Sequence, residues 1–101
     1  MLILIPVDGT DPKHAAITPV YEVAKWALID FDEGVVKAVD FFDDRHATGA
    51  EWIDFVVLAN RFENYMEFME EGMMTLCVRQ ERTLEEIIEA FKFKELDEVG
   101  Y

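Results

Sequence analysis

Short apolar runs separated by polar segments that contain glycine or proline recur along this chain, and most of these runs have the length of β-strands. The first run, Leu2–Val7, is apolar throughout, which predicts a strand buried on both faces. Gly34 can supply the positive φ angle of a tight hairpin between the next two runs. Four further runs are rich in β-branched and aromatic residues and predict strands: Lys25–Phe31, Val35–Phe42, Phe55–Ala59 and Met73–Val78.

Apolar residues at helical spacing predict two helices near the carboxyl end of the chain. In the first, residues 62–69 place apolar and acidic side chains on opposite sides, and Gly72 suits the position just after the last turn. The second begins with a capping box formed by Thr83 and Glu86. The acidic tail, residues 94–101, has no such pattern, and we expect it to fray.

The order of these elements predicts a single α/β domain over residues 1–101. A hairpin followed by right-handed strand–helix–strand units gives a mixed five-stranded sheet with strand order of about 3-2-1-4-5. Only residues 43–54 connect the third strand to the fourth, with room for one helical turn at Ala50–Asp54 but not for a full crossover helix. One sheet face then lacks cover, and we expect a homodimer to bury it, with Trp52 and Phe55 in the contact.

The charge balance restricts the partners that this domain can bind. Lys and Arg number 9 and Asp and Glu number 22, for a net charge of −13. Nucleic acids and anionic membranes are bound largely through basic side chains, so we expect neither as a partner. The single cysteine, Cys77, lies in an apolar run and is expected to pack as a small hydrophobe. With no secretory leader and no run near the roughly 18 apolar residues of a membrane span, we expect a soluble cytoplasmic protein.

Polar residues at the predicted carboxyl ends of three strands form the candidate ligand site. In open α/β sheets, ligands bind beyond these ends, near the point where the strand order switches. Two arginines there could meet an anionic group. In the alternative interpretation the aspartate caps a turn and the arginines pair with surplus carboxylates. The candidate residues are Asp8, Gly9, Thr10, Asn60, Arg61 and Arg79.

Signals for metal binding or catalysis are weak. His14 and His46 are candidate metal ligands, but neither belongs to a spaced cluster of ligands, and both are also typical of solvated loops. A two-metal nuclease site could use Asp8, yet Asn60 stands where a second carboxylate would be needed. The chain has no serine, no glycine-rich phosphate loop and no nucleophile elbow. We therefore expect a binding protein and not an enzyme.

Three segments carry a resemblance to a known family. Residues 3–9, Ile-Leu-Ile-Pro-Val-Asp-Gly, the hairpin 26–39 and the helix 83–91 resemble the first strand, the hairpin and the last helix of the dinitrogenase iron–molybdenum cofactor biosynthesis family. The resemblance implies a ribonuclease H-like fold without the nuclease carboxylates. It also implies a carrier of iron–sulfur or iron–molybdenum clusters that acts as a chaperone and not as a catalyst.

Two segments depart from that family's pattern. The family's loop before the second strand usually contains histidine, glycine and arginine, whereas Ile17–Glu22 contains none of them, and His14 lies several residues earlier. The family's long first helix is reduced here to residues 48–53. We therefore expect an accessory protein that resembles the cofactor carriers and binds a metal cluster or another anion. The alternative is a protein-interaction module that kept the scaffold and lost cofactor binding.

Overall fold

An open six-stranded sheet, in the order β3-β2-β1-β4-β5-β6, forms the centre of the computed structural model, which describes residues 1–100. Two α-helices and two single 3-10 turns, Val20–Glu22 and Arg45–Ala47, complete it. The helices are α1, Met66–Glu70, and α2, Leu84–Lys92. The strands are β1, Leu2–Val7; β2, Lys25–Asp32; β3, Val35–Phe42; β4, Phe55–Leu58; β5, Met74–Cys77; and β6, Asp97–Glu98.

β1 lies at the centre of the sheet, where the strand direction changes. It pairs antiparallel with β2 and parallel with β4, and β4 pairs parallel with β5. From Ile3 to Val7 every β1 residue is buried, as the unbroken apolar run predicts. The predicted order of the first five strands is confirmed.

The sheet has six strands and not five, because the tail does not fray over the described residues. Leu96 and Val99 are buried, on opposite sides of the sheet. Between them β6 pairs antiparallel with β5, and the Val99 amide donates to the Thr75 carbonyl at 3.0 Å. Burial of Leu96 and Val99 is enough to anchor a short strand. The acidic composition of the tail gives no sign of this, because only two of its residues provide the apolar contacts. Tyr101 lies outside the described residues.

Helix α2 forms as its capping box predicts. The Thr83 side chain accepts a hydrogen bond from the Glu86 amide, and the Glu86 carboxylate accepts one from the Thr83 amide. Leu84, Ile87 and Ala90 then face the sheet and join the core on that side. None of the helices within residues 1–100 has the length and apolarity needed to cross a membrane.

Helix α1 begins at Met66, later than the predicted start at Phe62. Local side-chain bonds compete with the helix: the Asn60 Oδ1 accepts from the Phe62 amide at 2.9 Å, which folds that stretch into a turn. Phe62 is consequently 90% exposed instead of facing the core. Phe68 is fully buried, and Gly72, at a φ of 87°, follows the helix end as expected.

Phe68 packs on the sheet face that we expected to lack cover, and Arg45 lies over Phe68. The expected turn at Ala50–Asp54 does not form, and the 3-10 turn that contains Arg45 lies earlier in the crossover. Its guanidinium is buried, donates to both Glu71 carboxylate oxygens at 3.0 and 2.6 Å, and lies 4.6 Å from the centre of the Phe68 ring. A bidentate ion pair that also covers an aromatic ring satisfies a cation at a site where water has little access.

Of the two residues expected in a dimer contact, Phe55 packs within the chain and Trp52 stays largely exposed. Phe55 packs edge-on against Phe91 of α2, with ring centres 4.9 Å apart. The Trp52 side chain is 60% exposed and lies over Gly72. A methyl group at Gly72 would come within 2.6 Å of the Trp52 indole. The uncovered face was the reason to expect a homodimer, and Ile53, Phe68 and Met73 of this chain cover part of it. The homodimer stays a prediction.

Replacing Arg45 should destabilise the protein. Arg45→Ala leaves space beside Phe68 and removes the guanidinium from Glu71, so the free energy of unfolding should fall by about 2–4 kcal/mol. Urea denaturation followed by circular dichroism measures this loss. Arg82→Ala, at an exposed arginine, is the matched control and should stay within about 0.5 kcal/mol. Equal losses in the two variants would contradict the proposed role of Arg45.

The same ion pair should make stability depend on pH. Hydrogen bonds from Arg45 lower the pKa of Glu71 from its ordinary value of 4.5. A carboxyl group whose pKa falls on folding stabilises the fold above the unfolded pKa, and this contribution is lost as the pH falls through the folded pKa. The stability gap between the wild type and Glu71→Gln should therefore be widest near neutral pH and close in acid. A gap that stays constant through the acid range would refute this.

Candidate functional site

The predicted site lies at one edge of the sheet, at the carboxyl ends of the parallel strands β1, β4 and β5. Asp8, Asn60 and Arg79 follow these strands within two residues. The chain reverses direction between β1 and its neighbour β2, whereas β4 continues parallel to β1. This edge therefore contains the switch point at which ligands bind in open α/β sheets.

Asp8 closes the loop that follows β1. Its Oδ1 accepts a hydrogen bond from the Ala16 amide at 2.9 Å, and its own amide donates to the Ala16 carbonyl at 3.0 Å. These contacts match the turn-capping alternative. Gly9 is half-buried with open space above it, since a methyl group there would meet no atom within 4 Å, and Thr10 is exposed.

Arg61 and Arg79 come together, as predicted, but around a carboxylate. Arg79 donates through Nε to the Asp97 Oδ1 at 3.0 Å, and its Nη2 lies 2.9 Å from the same oxygen. The Arg61 Nη2 lies 3.7 Å from the Asp97 Oδ2. The Asp97 carboxylate raises the pKa of Arg79. An anionic ligand would have to compete with Asp97, a residue that we expected to lie in a frayed tail.

Glu63 organises this edge, although the sequence pattern placed it on the solvent side of a helix. Its Oε1 accepts from the Val20 amide at 2.6 Å, and its Oε2 accepts from the amides of Ala59 and Asn60 at 3.0 and 3.2 Å. One carboxylate thus joins the loop before β2 to the end of β4. No local pattern signals this role, because the bond to Val20 spans 43 residues.

Two shallow grooves lie on either side of this contact. One, of about 380 Å³, lies between Tyr21 and Phe62 and has Glu63 and Glu67 in its wall. Phe62 and Tyr21 are the most exposed large apolar side chains of the described chain, at 90% and 84%. The other groove, of about 310 Å³, has mixed walls formed by Ile17, Pro19, Ala59, Val78 and the segment 79–82.

The two histidines do not meet. His14 is 69% exposed, with Nδ1 3.3 Å from the Asp11 Oδ2, in a loop whose Lys13 carbonyl accepts from the second residue of α2. His46 is 64% exposed, with Nε2 3.8 Å from Glu71 at the end of α1, on the other face of the sheet. Within residues 1–100 no three His, Cys, Asp or Glu side chains are grouped so as to hold a metal ion.

Cys77 offers no thiolate to this edge. Its side chain is buried, as predicted, and burial raises the pKa of the thiol, with the Asp97 carboxylate acting in the same direction. The thiol therefore stays protonated at neutral pH. A protonated, buried thiol is a poor ligand for iron.

Comparison with solved structures shows that the fold is shared. The chain superposes with a TM-score of 0.76 at 18% identity on a protein from Methanocaldococcus jannaschii provisionally described as a dinitrogenase, covering 99% of this chain and 95% of that one. It also superposes on a Thermotoga protein provisionally described as a NifB protein of the DUF35 family, with a TM-score of 0.70, 20% identity, and 96% and 91% coverage.

A third structure, of a protein designated PH0822, matches with a TM-score of 0.73 at 14% identity and covers 100% of this chain and 97% of that one. No protein-family model matches the chain, and no curated protein does. At these identities the three structures establish a common α/β fold, with the sheet described above.

Removing one oxygen acceptor from Glu63 should loosen the site. In Glu63→Gln only one oxygen remains to serve three amide donors, so the free energy of unfolding should fall by about 1–3 kcal/mol. Amide hydrogen exchange at Val20, Ala59 and Asn60 should accelerate more than exchange in β1. Glu70→Gln, at an exposed glutamate of α1, is the control and should change neither quantity. Unchanged exchange at all three amides would show that Glu63 does not hold this edge together.

Proposed function

We propose that this chain is a non-catalytic accessory protein that binds a partner protein at the carboxyl edge of its sheet. The observation that supports the proposal is the exposure of Phe62 and Tyr21 on either side of one groove. Adjacent, strongly exposed aromatic side chains are costly to keep in water and are enriched at the centres of protein interfaces. The hydrogen bonds of Glu63 hold the backbone beneath both side chains in place.

The charge around this groove indicates what kind of partner would fit. Glu63 and Glu67 line it, Glu22 adjoins Tyr21, and the whole protein carries a net charge of −13. A lysine or arginine that enters between the two rings would find carboxylates and two aromatic faces. We therefore propose a basic segment of the partner as the group bound, and electrostatic attraction would also accelerate its association.

Site-specific photocrosslinking in the natural host tests this proposal. Benzoylphenylalanine at position 62 should yield one dominant crosslinked protein, and Glu67→Lys in the same chain should reduce the yield severalfold by reversing the charge of the groove. Benzoylphenylalanine in place of Phe93, which is 60% exposed and outside the groove, is the matched control. The same product from both positions, or a yield that Glu67→Lys leaves unchanged, would overturn the proposal.

A second candidate function is cluster carriage associated with nitrogen fixation. The structural likeness to the proteins described as a dinitrogenase and as a NifB protein favours it, together with the resemblance of residues 3–9, 26–39 and 83–91 to the cofactor biosynthesis family. Within this proposal the chain is a divergent member of that family with a ribonuclease H-like fold. An exposed His14 and the arginine pair at Asp97 are the groups that could contact an anionic cluster as cargo.

The donor set of the described chain does not fit a tightly held iron–sulfur cluster. Such clusters are held mainly by several cysteine thiolates, whereas Cys77 is single, buried and protonated. His14 and His46 lie on different faces of the sheet. A cluster could bind here only as weakly held cargo, and for this reason we place partner binding first.

Anaerobic reconstitution with iron, sulfide and molybdate separates the two functions. If the chain is a carrier, gel filtration should leave metal bound, and His14→Ala should reduce the amount severalfold while His46→Ala, the matched control, leaves it unchanged. The readouts are metal analysis and visible absorption. No retained metal in the wild type, or equal retention in both variants, would exclude carriage through His14.

A further inference from the structure

We propose that the opposite edge of the sheet contains a second binding site, for a small apolar carboxylate. At the amino ends of β4 and β5, next to the carboxyl end of α2, lies a pocket of about 470 Å³. Small-molecule sites are commonly of this size, with apolar walls and a few polar groups placed to orient the ligand. The site is separate from the partner groove, which lies at the carboxyl edge and shares no residue with it.

The floor of this pocket is aromatic. Phe91 of α2 meets Phe31 and Phe55 edge-on, with ring centres 5.4 and 4.9 Å apart, and all three rings line the pocket. Leu76 and Leu96 add buried aliphatic walls. Rings held at right angles to one another leave both an edge and a face accessible, which suits a ligand with a flat or narrow apolar body.

The mouth of the pocket carries the charge that selects an anion. Lys92 and Lys94 line it, together with a single carboxylate, Glu98, and with Met1, whose terminal ammonium donates to the Phe31 carbonyl at 2.8 Å. Among the described residues, ion pairs occupy Lys25, Arg45 and both arginines at Asp97, and neither pocket lysine has a carboxylate within 4.0 Å. Five of the nine basic residues have no ion pair among the described residues, and two of the five lie at this one apolar pocket. The Lys92 Nζ also lies 5.8 Å from the centre of the Phe93 ring.

The backbone of Lys94 supplies an independent observation. Its φ is +59°, a left-handed conformation that glycine adopts without strain and that lysine rarely adopts. Lys94 lies just beyond the end of α2, and its amide donates to the Phe91 carbonyl at 3.2 Å, where glycine usually terminates a helix. The chain thus accepts strain to keep a lysine at the pocket mouth, and strain of this kind is concentrated at binding sites.

These observations together define the ligand class as one carboxylate on a compact apolar body. The carboxylate would lie between the two lysines, and the apolar body would cover the Phe31, Phe55 and Phe91 rings. A cationic analogue would meet like charge at Lys92 and Lys94. A neutral analogue would keep the apolar contacts and lose the charge interaction.

Methionine-methyl NMR of the intact chain tests this site, because the methionines report on separate places. Met1 and Met74 line the pocket, whereas Met66, Met69 and Met73 lie in or beside α1 and outside the pocket. Phenylbutyrate should shift the Met74 methyl signal saturably and leave those three unchanged. Phenylbutanol, which has the same apolar body, should bind roughly fivefold more weakly, and phenylbutylammonium more weakly still.

Three variants separate a ligand-binding role from a structural one. Lys92→Gln with Lys94→Gln should abolish the preference for the acid over the alcohol, whereas Lys13→Gln with Lys37→Gln, the matched loss of two charges elsewhere, should preserve it. Lys94→Gly should raise the melting temperature, because glycine relieves the strain, while it weakens phenylbutyrate binding severalfold.

Saturable acid-selective binding at Met74 that depends on the pocket lysines would support the site. Equal affinity for the acid and the alcohol, no saturable shift, or shifts centred on the α1 methionines would overturn it. A Lys94→Gly variant that is more stable and binds phenylbutyrate as tightly as the wild type would also overturn the role of Lys94. None of these outcomes depends on the partner groove or on His14.

Discussion

The parallel pairing of β1 with β4 imposes the constraint that shapes the rest of the structure. After β3 the chain lies at one side of the sheet, and it must pass β2 and β1 before it can begin β4. Proteins usually bridge such a gap with a helix that also covers one sheet face. Here residues 43–54 contain only one 3-10 turn, so Arg45 and Phe68 share that task, with Glu71 neutralising the guanidinium. A polar side chain thus covers apolar surface because its charge is satisfied at the end of α1.

The chain has only 9 basic residues against 22 acidic ones, and most of its arginines are used inside the fold. Arg45 is used for packing, and Arg61 and Arg79 hold the tail through Asp97. The carboxyl edge has aromatic and acidic groups at one groove, and Arg61 and Arg79 are engaged there by the protein's own Asp97 carboxylate. Lys92 and Lys94 face the other end of the sheet. One groove at the carboxyl edge thus has acidic walls and the pocket at the other end has two lysines, each beside exposed or accessible aromatic rings.

This chain shares its fold with proteins described as a dinitrogenase and a NifB protein. A shared fold at such low identity tells more about the backbone scaffold than about the chemistry of any site. The sheet and α2 depend on apolar pattern and capping, which tolerate wide sequence change. Ligand binding depends on a few side chains, and at the carboxyl edge Glu63 and Asp97 are engaged in contacts within the chain while two aromatic side chains stay exposed. A scaffold can persist while its loops acquire a different set of contacts.

Local pattern in the sequence determined the first five strands, their order and helix α2. The burial of Leu2–Val7 follows from an unbroken apolar run, and the start of α2 follows from two residues three positions apart. The placement of Asp8, Asn60 and Arg79 at one edge of the sheet also followed, since it depends only on strand order and direction. The contacts among the side chains at this edge did not follow, apart from the convergence of Arg61 and Arg79.

Only the tertiary structure decided the features that depend on partners distant in the chain. Glu63 bonds to Val20, Arg79 to Asp97, and Arg45 to Glu71, and each contact joins segments whose own patterns indicate something else: a helix, a frayed tail and a loop. Such contacts form because folding brings the groups together and removes water from around them, and this gain is absent from any short window of sequence. The sequence by itself therefore determined the first five strands, their order in the sheet, and helix α2. The folded chain decided the length of α1, the sixth strand and the chemistry at both ends of the sheet.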